Sequence, residues 1–206
     1  MTLETEMTES SDRALRLYLT GYMGAGKSTI GRALAENLSY KFIDTDRQLV
    51  LHFHRPISEI FRHHGESAFR EAELNCLKGL SNQERVVIST GGGTLTRDET
   101  MQVAKQSGLV IYLEAPVDVL YERVIFSPKD RPMIDVPDPE AVFKERFLRR
   151  EPYYLQADMT VNCAHKPPKQ VALDIIEALK PFQNQALSPQ DQTAREQNPT
   201  DVTPLS

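Results

Sequence analysis

The chain has 206 residues, 40% of them hydrophobic and 26% charged, with a net charge of −5 and an isoelectric point near 5.6. Setting the polar ends aside leaves about 170 residues, enough for one globular domain with a full core. The acidic balance argues against a nucleic-acid binder relying on bulk positive charge, and no apolar run reaches the length of a membrane span.

Residues 1–13 carry Glu4, Glu6, Glu9 and Asp12 against Arg13, with little to bury, so they read as a mobile lead-in and not as a signal peptide. Leu15–Thr20 is an apolar run of strand length. It leads into Gly21-Tyr-Met-Gly-Ala-Gly-Lys-Ser28, which fits the phosphate-loop pattern of Gly, four residues, Gly, Lys and then Ser or Thr. Its glycines let backbone N–H groups approach a polyphosphate. Lys27 reaches the β and γ phosphates, and the Ser28 hydroxyl suits Mg²⁺. Ile30, Ala33, Leu34 and Leu38 then mark one face of a helix whose N-terminus points at the anion.

Tyr40–Asp44 reads as a second strand and Asp46 as the opening of a helix to about Phe53. Pro56–His64 is a further short helix stopped by Gly65. From Ser67 to Leu80, Phe69, Ala72, Cys76, Leu77 and Leu80 form one apolar stripe, with Arg70 and Glu73 three apart beside it. Val86–Ser89 is apolar throughout, as an interior parallel strand should be, and runs into Gly91-Gly92-Gly93. A helix near Arg97–Gln106, a strand at Leu109–Leu113 and a helix marked by Val117, Leu120, Tyr121 and Val124 follow. Ser127–Pro139, with its prolines and aspartates, reads as a mobile loop. Ala141–Leu155 returns to helix with Phe143 and Phe147 inward, Met159–Val161 is a last strand, and Val171, Ile175 and Leu179 define a closing helix. The glutamine-rich stretch 183–206 is expected to be disordered. Cys76 and Cys163 lie far apart with no metal spacing, and the adjacent or alternating histidines suit no shared metal.

Strands alternating with helices imply a parallel sheet with helices on both faces, and ligands on such sheets bind beyond the carboxyl ends of the strands. The phosphate loop, the Asp44-Thr-Asp46 pair and the glycine triplet should therefore meet. Two carboxylates two apart on an extended chain can face one cavity, although an Asp at a helix start also serves as an N-cap. Three successive glycines leave backbone N–H groups unshielded, or simply form a loose connection. Arg70, Arg123, Arg131 and Arg150 are planar forks suited to carboxylate or phosphate, and Arg131, before Pro132, sits where an arginine could swing over a transferring phosphoryl group.

Together these motifs resemble the shikimate kinase family, a small branch of the nucleoside-monophosphate-kinase-like phosphate-loop fold. The resemblance runs from about Leu15 to Leu179. It rests on the phosphate loop, Phe42-Ile-Asp-Thr-Asp46, Ile60-Phe61 before Gly65-Glu66, Phe69-Arg70 with Glu73, Thr90-Gly-Gly-Gly93, Arg131-Pro132 and Arg150-Glu-Pro-Tyr-Tyr154. It implies a three-layer α/β fold with a five-stranded parallel sheet and a mobile lid near 127–139, all within a domain of residues 14–182. Gly24, Ala25, Gly26, Lys27, Ser28, Thr29, Arg123 and Arg131 would hold ATP, with Arg123 against the adenine. Ser28 would ligate Mg²⁺ directly and Asp44 through water. Asp46, Arg70, Gly92 and Arg150 would bind shikimate. Asp46 would accept the proton, with Lys27 and Arg131 joining it in catalysis.

The resemblance implies transfer of the γ-phosphoryl of ATP to the 3-hydroxyl of shikimate by a cytoplasmic monomer. The lid departs mildly from the family in reading Arg-Pro-Met, and Asn162–Pro168 matches the family's adenine-side loop poorly. Rival readings are another small-molecule kinase of the same fold, such as a gluconate or nucleotide kinase, or a silent nucleotide-binding relative.

Overall fold

Five parallel strands form the centre of the molecule: β1 (Arg16–Thr20), β2 (Lys41–Asp44), β3 (Val86–Ser89), β4 (Leu109–Glu114) and β5 (Met159–Asn162), in the spatial order β2-β3-β1-β4-β5. The computed structural model describes residues 16–127 and 137–184. The expected lead-in, most of the lid with Arg131, and the chain beyond 184 lie outside the described residues. Within them, seven helices connect the strands: α1 (Lys27–Leu38), α2 (Thr45–Phe53), α3 (Ile57–Leu80), α4 (Asp98–Ser107), α5 (Val117–Ile125), α6 (Pro139–Tyr154) and α7 (Pro168–Asn184).

The strand sequences explain this architecture. β3 is buried at every position, and it lies between β1 and β2, as its unbroken apolar run predicts. Side chains alternate across the sheet. Leu17, Leu19, Val87 and Ile111 pack on one face with Ile30 and Leu34 of α1 and Val171, Ile175 and Leu179 of α7. Tyr18, Val86, Ile88 and Val110 pack on the other with Leu77 and Leu80 of α3 and Met101 and Ala104 of α4. The result is the expected three-layer arrangement. A smaller cluster of Leu49, Ile60 and Phe69 joins α2 to α3 beside the sheet.

Most expected boundaries stand within a residue or two. Gly65, at φ 78° and ψ 171°, breaks α3 where the sequence places a stop. Two ends differ. α6 begins at Pro139 because the Asp138 carboxylate accepts from the Ala141 amide at 3.2 Å, and proline suits a first turn that needs no N–H. α7 continues through Pro181 to Asn184, two residues past the expected domain end, since a proline this near a terminus removes only one helical bond.

Gly108 links α4 to β4 in a space set by β1. A methyl group there would press on the Arg16 carbonyl oxygen and stand 2.8 Å from both the Arg16 Cβ and the Tyr18 ring. Gly108→Ala should therefore destabilise the fold by about 1–3 kcal/mol. Urea unfolding checks this; an unchanged midpoint would mean the α4–β4 turn is not fixed by that contact.

Candidate active site

The loop between β1 and α1 must turn sharply while lying against α5. Gly24 takes φ 86°, and a Cβ on it would stand 2.6 Å from the Leu120 carbonyl oxygen, so only glycine fits. Gly26, at φ 83°, is the N-cap of α1, and a helix N-terminus is an end that favours an anion. Lys27 folds back across the loop, its Nζ donating to Gly21 O at 2.7 Å and Tyr22 O at 3.1 Å. Gly24, Gly26, Lys27, Ser28 and Thr29 line a cavity of about 680 Å³. Ala25 does not: it is fully buried, and its amide already donates to Tyr22 O at 3.3 Å.

Asp44 ends β2 and fills both roles weighed for it. One carboxylate oxygen accepts from the Arg47 amide at 3.2 Å and caps α2. The other accepts from Ser28 Oγ at 2.6 Å. Asp46 shares the cavity with it but not by strand alternation: α2 already starts at Thr45, so Asp46 stands in the first helical turn. Burial pushes its carboxyl up to about 6, and the charges of Asp44 and Glu73 add to this while Lys27 opposes it.

The glycine triplet follows β3, and Gly92 and Gly93 line the same cavity while Gly91 is buried beneath it. A Cβ at Gly91 would stand 2.5 Å from Asp46 Oδ1 and 2.8 Å from Thr94 Oγ1. At Gly93 it would stand 3.2 Å from the Arg70 guanidinium and 3.7 Å from that of Arg150. Residues eighty positions apart in sequence thus converge on one backbone segment. Arg150 and Gly92 line the cavity, and Arg70 stands beside Gly93. Arg70 donates to Glu73 at 2.8 Å and to Glu66 at 3.0 and 3.2 Å. Arg123 of α5 also lines the cavity, donating to Cys163 O at 2.8 Å and to Gly24 O at 3.4 Å, and so joins the phosphate loop to the end of β5.

The family model described as shikimate kinase matches residues 23–180. The chain belongs to the shikimate kinase family. It is accordingly an enzyme, a kinase that uses ATP. A shikimate kinase of Prochlorococcus marinus (strain MIT 9313) is 40% identical over 176 residues, covering 85% of this chain and 89% of that one. The structure of a shikimate kinase from Acinetobacter baumannii in complex with shikimate superposes with a TM-score of 0.76 at 32% identity, covering 84% and 96% of the two chains. A gluconokinase from Sinorhizobium meliloti 1021 gives a TM-score of 0.53 at 17% identity, covering 91% and 99%, which shows the shared fold alone.

Sequence spacing did not reveal how the family's Glu73 is placed. Helical spacing puts it beside Arg70 and off the apolar stripe, yet it is 2% exposed, with one oxygen taken by Arg70 and the other by Thr94 Oγ1 at 2.6 Å. Thr94 and Tyr154, which donates to Gly92 O at 2.6 Å, carried no signal beyond their neighbourhood to the motifs. Arg131 lies outside the described residues.

The raised Asp46 pKa has a testable sign. In the unfolded chain Asp46 ionises near its ordinary 3.8, but in the folded protein only near 6, so rising pH through that window weakens the fold. Asp46→Asn should stabilise the protein at pH 7.5 by on the order of 2 kcal/mol, with the gain gone below pH 4. Urea unfolding at the two pH values measures it; equal gains at both would place the cause in packing and not in charge.

Proposed function

We propose that this kinase transfers the γ-phosphoryl group of ATP to the 3-hydroxyl of shikimate, giving shikimate 3-phosphate and ADP on the route to chorismate and the aromatic amino acids. The placing of opposite charges at the two ends of the glycine segment carries the reading. Gly91 abuts the Asp46 carboxylate and Gly93 abuts the Arg70 and Arg150 guanidiniums. The segment is a turn closed by the Thr94 amide on Gly91 O at 3.1 Å, and it brings a carboxylate to one end and guanidiniums to the other, as a small ring bearing hydroxyls and a carboxylate would need. The arginine forks would hold the carboxylate, with Gly92 contributing a backbone contact, and Asp46 would meet the hydroxyls.

In this reading Asp46 accepts the proton of the attacking hydroxyl as its oxygen bonds the γ-phosphorus and the bond to ADP breaks. Its raised pKa keeps it a competent acceptor near neutral pH. Lys27 and the loop residues Gly24, Gly26, Ser28 and Thr29 hold the phosphates, Arg123 lies against the adenine, and Arg131 acts from the lid on the transferring group. Ser28 Oγ and Asp44, 2.6 Å apart on the cavity wall, are hard oxygen donors that fit Mg²⁺. Among the described residues no group of three or more His, Cys, Asp or Glu could hold a metal by itself, so the phosphates would complete its shell. Bound there, Mg²⁺ offsets phosphate charge.

The same reading makes the protein a cytoplasmic monomer with neither nucleic acid nor membrane as partner. No helix among the described residues is long and apolar enough to cross a membrane. The catalytic domain would span residues 14–182, with 183–206 dispensable for turnover.

An ADP-release assay with shikimate, quinate, gluconate and nucleoside monophosphates tests the substrate: turnover should be fastest with shikimate, and faster use of gluconate or a nucleotide would overturn the assignment. Arg70→Ala and Arg150→Ala each remove one fork from a charge pair worth about 2–5 kcal/mol. Each should weaken shikimate use by tens to thousands of fold while leaving the KM for ATP nearly unchanged. Loss of ATP affinity with shikimate affinity kept would assign those arginines to the nucleotide.

A further inference from the structure

Tyr154 ends α6 one turn after Arg150. It is fully buried, and its ring stacks on Tyr112 with centroids 5.3 Å apart. Its hydroxyl does not serve the core. It reaches out of the helix to donate to the Gly92 carbonyl oxygen at 2.6 Å, in the middle of the glycine wall. Arg150 stands beside the same two groups: its guanidinium interacts with the Tyr154 hydroxyl, and its Nη1 reaches Gly92 O only at 3.5 Å. Burial pushes the phenol pKa upward, so the hydroxyl keeps the proton it donates.

Two consequences follow from this geometry. A half-buried carbonyl oxygen is held in one direction by a donor, and Tyr154 supplies a short bond to Gly92 O. Without it, the nearest remaining donor is Arg150, and satisfying Gly92 O would draw that guanidinium toward the wall. The peptide after Gly92 is planar and trans, so fixing its oxygen also fixes the opposite direction of the Gly93 N–H. One hydroxyl thereby sets both the glycine backbone and the arginine that faces it.

We infer that Tyr154 is a positioning residue for the acceptor substrate: its hydroxyl satisfies Gly92 O and so leaves the Arg150 guanidinium available to the substrate's carboxylate. This rests on the shikimate reading above. Among the described residues the Tyr154 hydroxyl bonds the glycine segment and not the phosphate loop, so the effect should fall on one substrate alone.

Tyr154→Phe keeps the ring and its stacking on Tyr112 and removes only the donor. Tyr112→Phe is its control, because the Tyr112 hydroxyl is equally buried and has no hydrogen-bond partner among the described residues. With full-length protein, Tyr154→Phe should raise the KM for shikimate about three- to tenfold, the scale of one lost hydrogen bond. The KM for ATP and kcat should stay within twofold, and Tyr112→Phe should match the wild type in all three. An unchanged KM for shikimate in Tyr154→Phe overturns the inference, as does an equal rise in both KM values. A lower melting temperature with unchanged kinetics overturns it too, since the hydroxyl would then be merely structural. Failure of the wild type to use shikimate at all would instead remove the substrate reading on which the inference stands.

Discussion

The site depends on a close approach between a backbone and two charged groups. Segment 91–93 passes so near Asp46 at one end and Arg70 with Arg150 at the other that a side chain at position 91 would overlap the Asp46 carboxylate. The wall must be bare glycine for those groups to stand where they do. Its place is set in turn by β3, which is buried on both faces between β1 and β2 and delivers the triplet to the carboxyl edge of the sheet. The same edge receives the phosphate loop from β1 and the Asp44–Asp46 turn from β2. Parallel topology therefore assembles three separate stretches of chain into one cavity.

Electrostatics around that cavity are finely divided for a protein of net charge −5. Buried Glu73 is compensated by Arg70 and Thr94, which holds a cationic fork in place without leaving a charge unpaired. Asp46 has no such ion pair at bonding distance among the described residues. It sits near Asp44 and Glu73, with only Lys27 opposing them, and its carboxyl is pushed up to about 6. Carboxylates within one cavity thus behave differently because their neighbours differ. One anchors an arginine, one caps a helix and holds Ser28, and one is left able to take a proton.

Much of this was legible in the sequence because it rests on local rules. An eight-residue loop pattern, an unbroken apolar run at 86–89 and three successive glycines each imply a backbone arrangement on their own. The convergence of Arg70 and Arg150 on Gly93 is long-range and came only through resemblance to a family. Two features escaped for physical reasons. Glu73 and Arg70 at i and i+3 look like any exposed helical pair, and only the packing of Thr94 from another element buries the carboxylate. Asp46 was expected to share a face with Asp44 by strand alternation, whereas the strand ends at Asp44 and a helical turn does the work instead. The start of α6 and the end of α7 shifted because a cap and a tolerated proline outweigh the periodicity used to place them.

The central claim is that the glycine turn holds a proton acceptor at one end and a pair of arginine forks at the other, all facing one carboxylated ring. A crystal structure of this protein with shikimate bound is the most direct measurement of it. The account predicts the ring lying along residues 91–93, its carboxylate bonded to both Arg70 and Arg150 and a hydroxyl at Asp46 pointing toward Lys27. A carboxylate bound elsewhere, or a ring that leaves Asp46 without a hydroxyl partner, would contradict it.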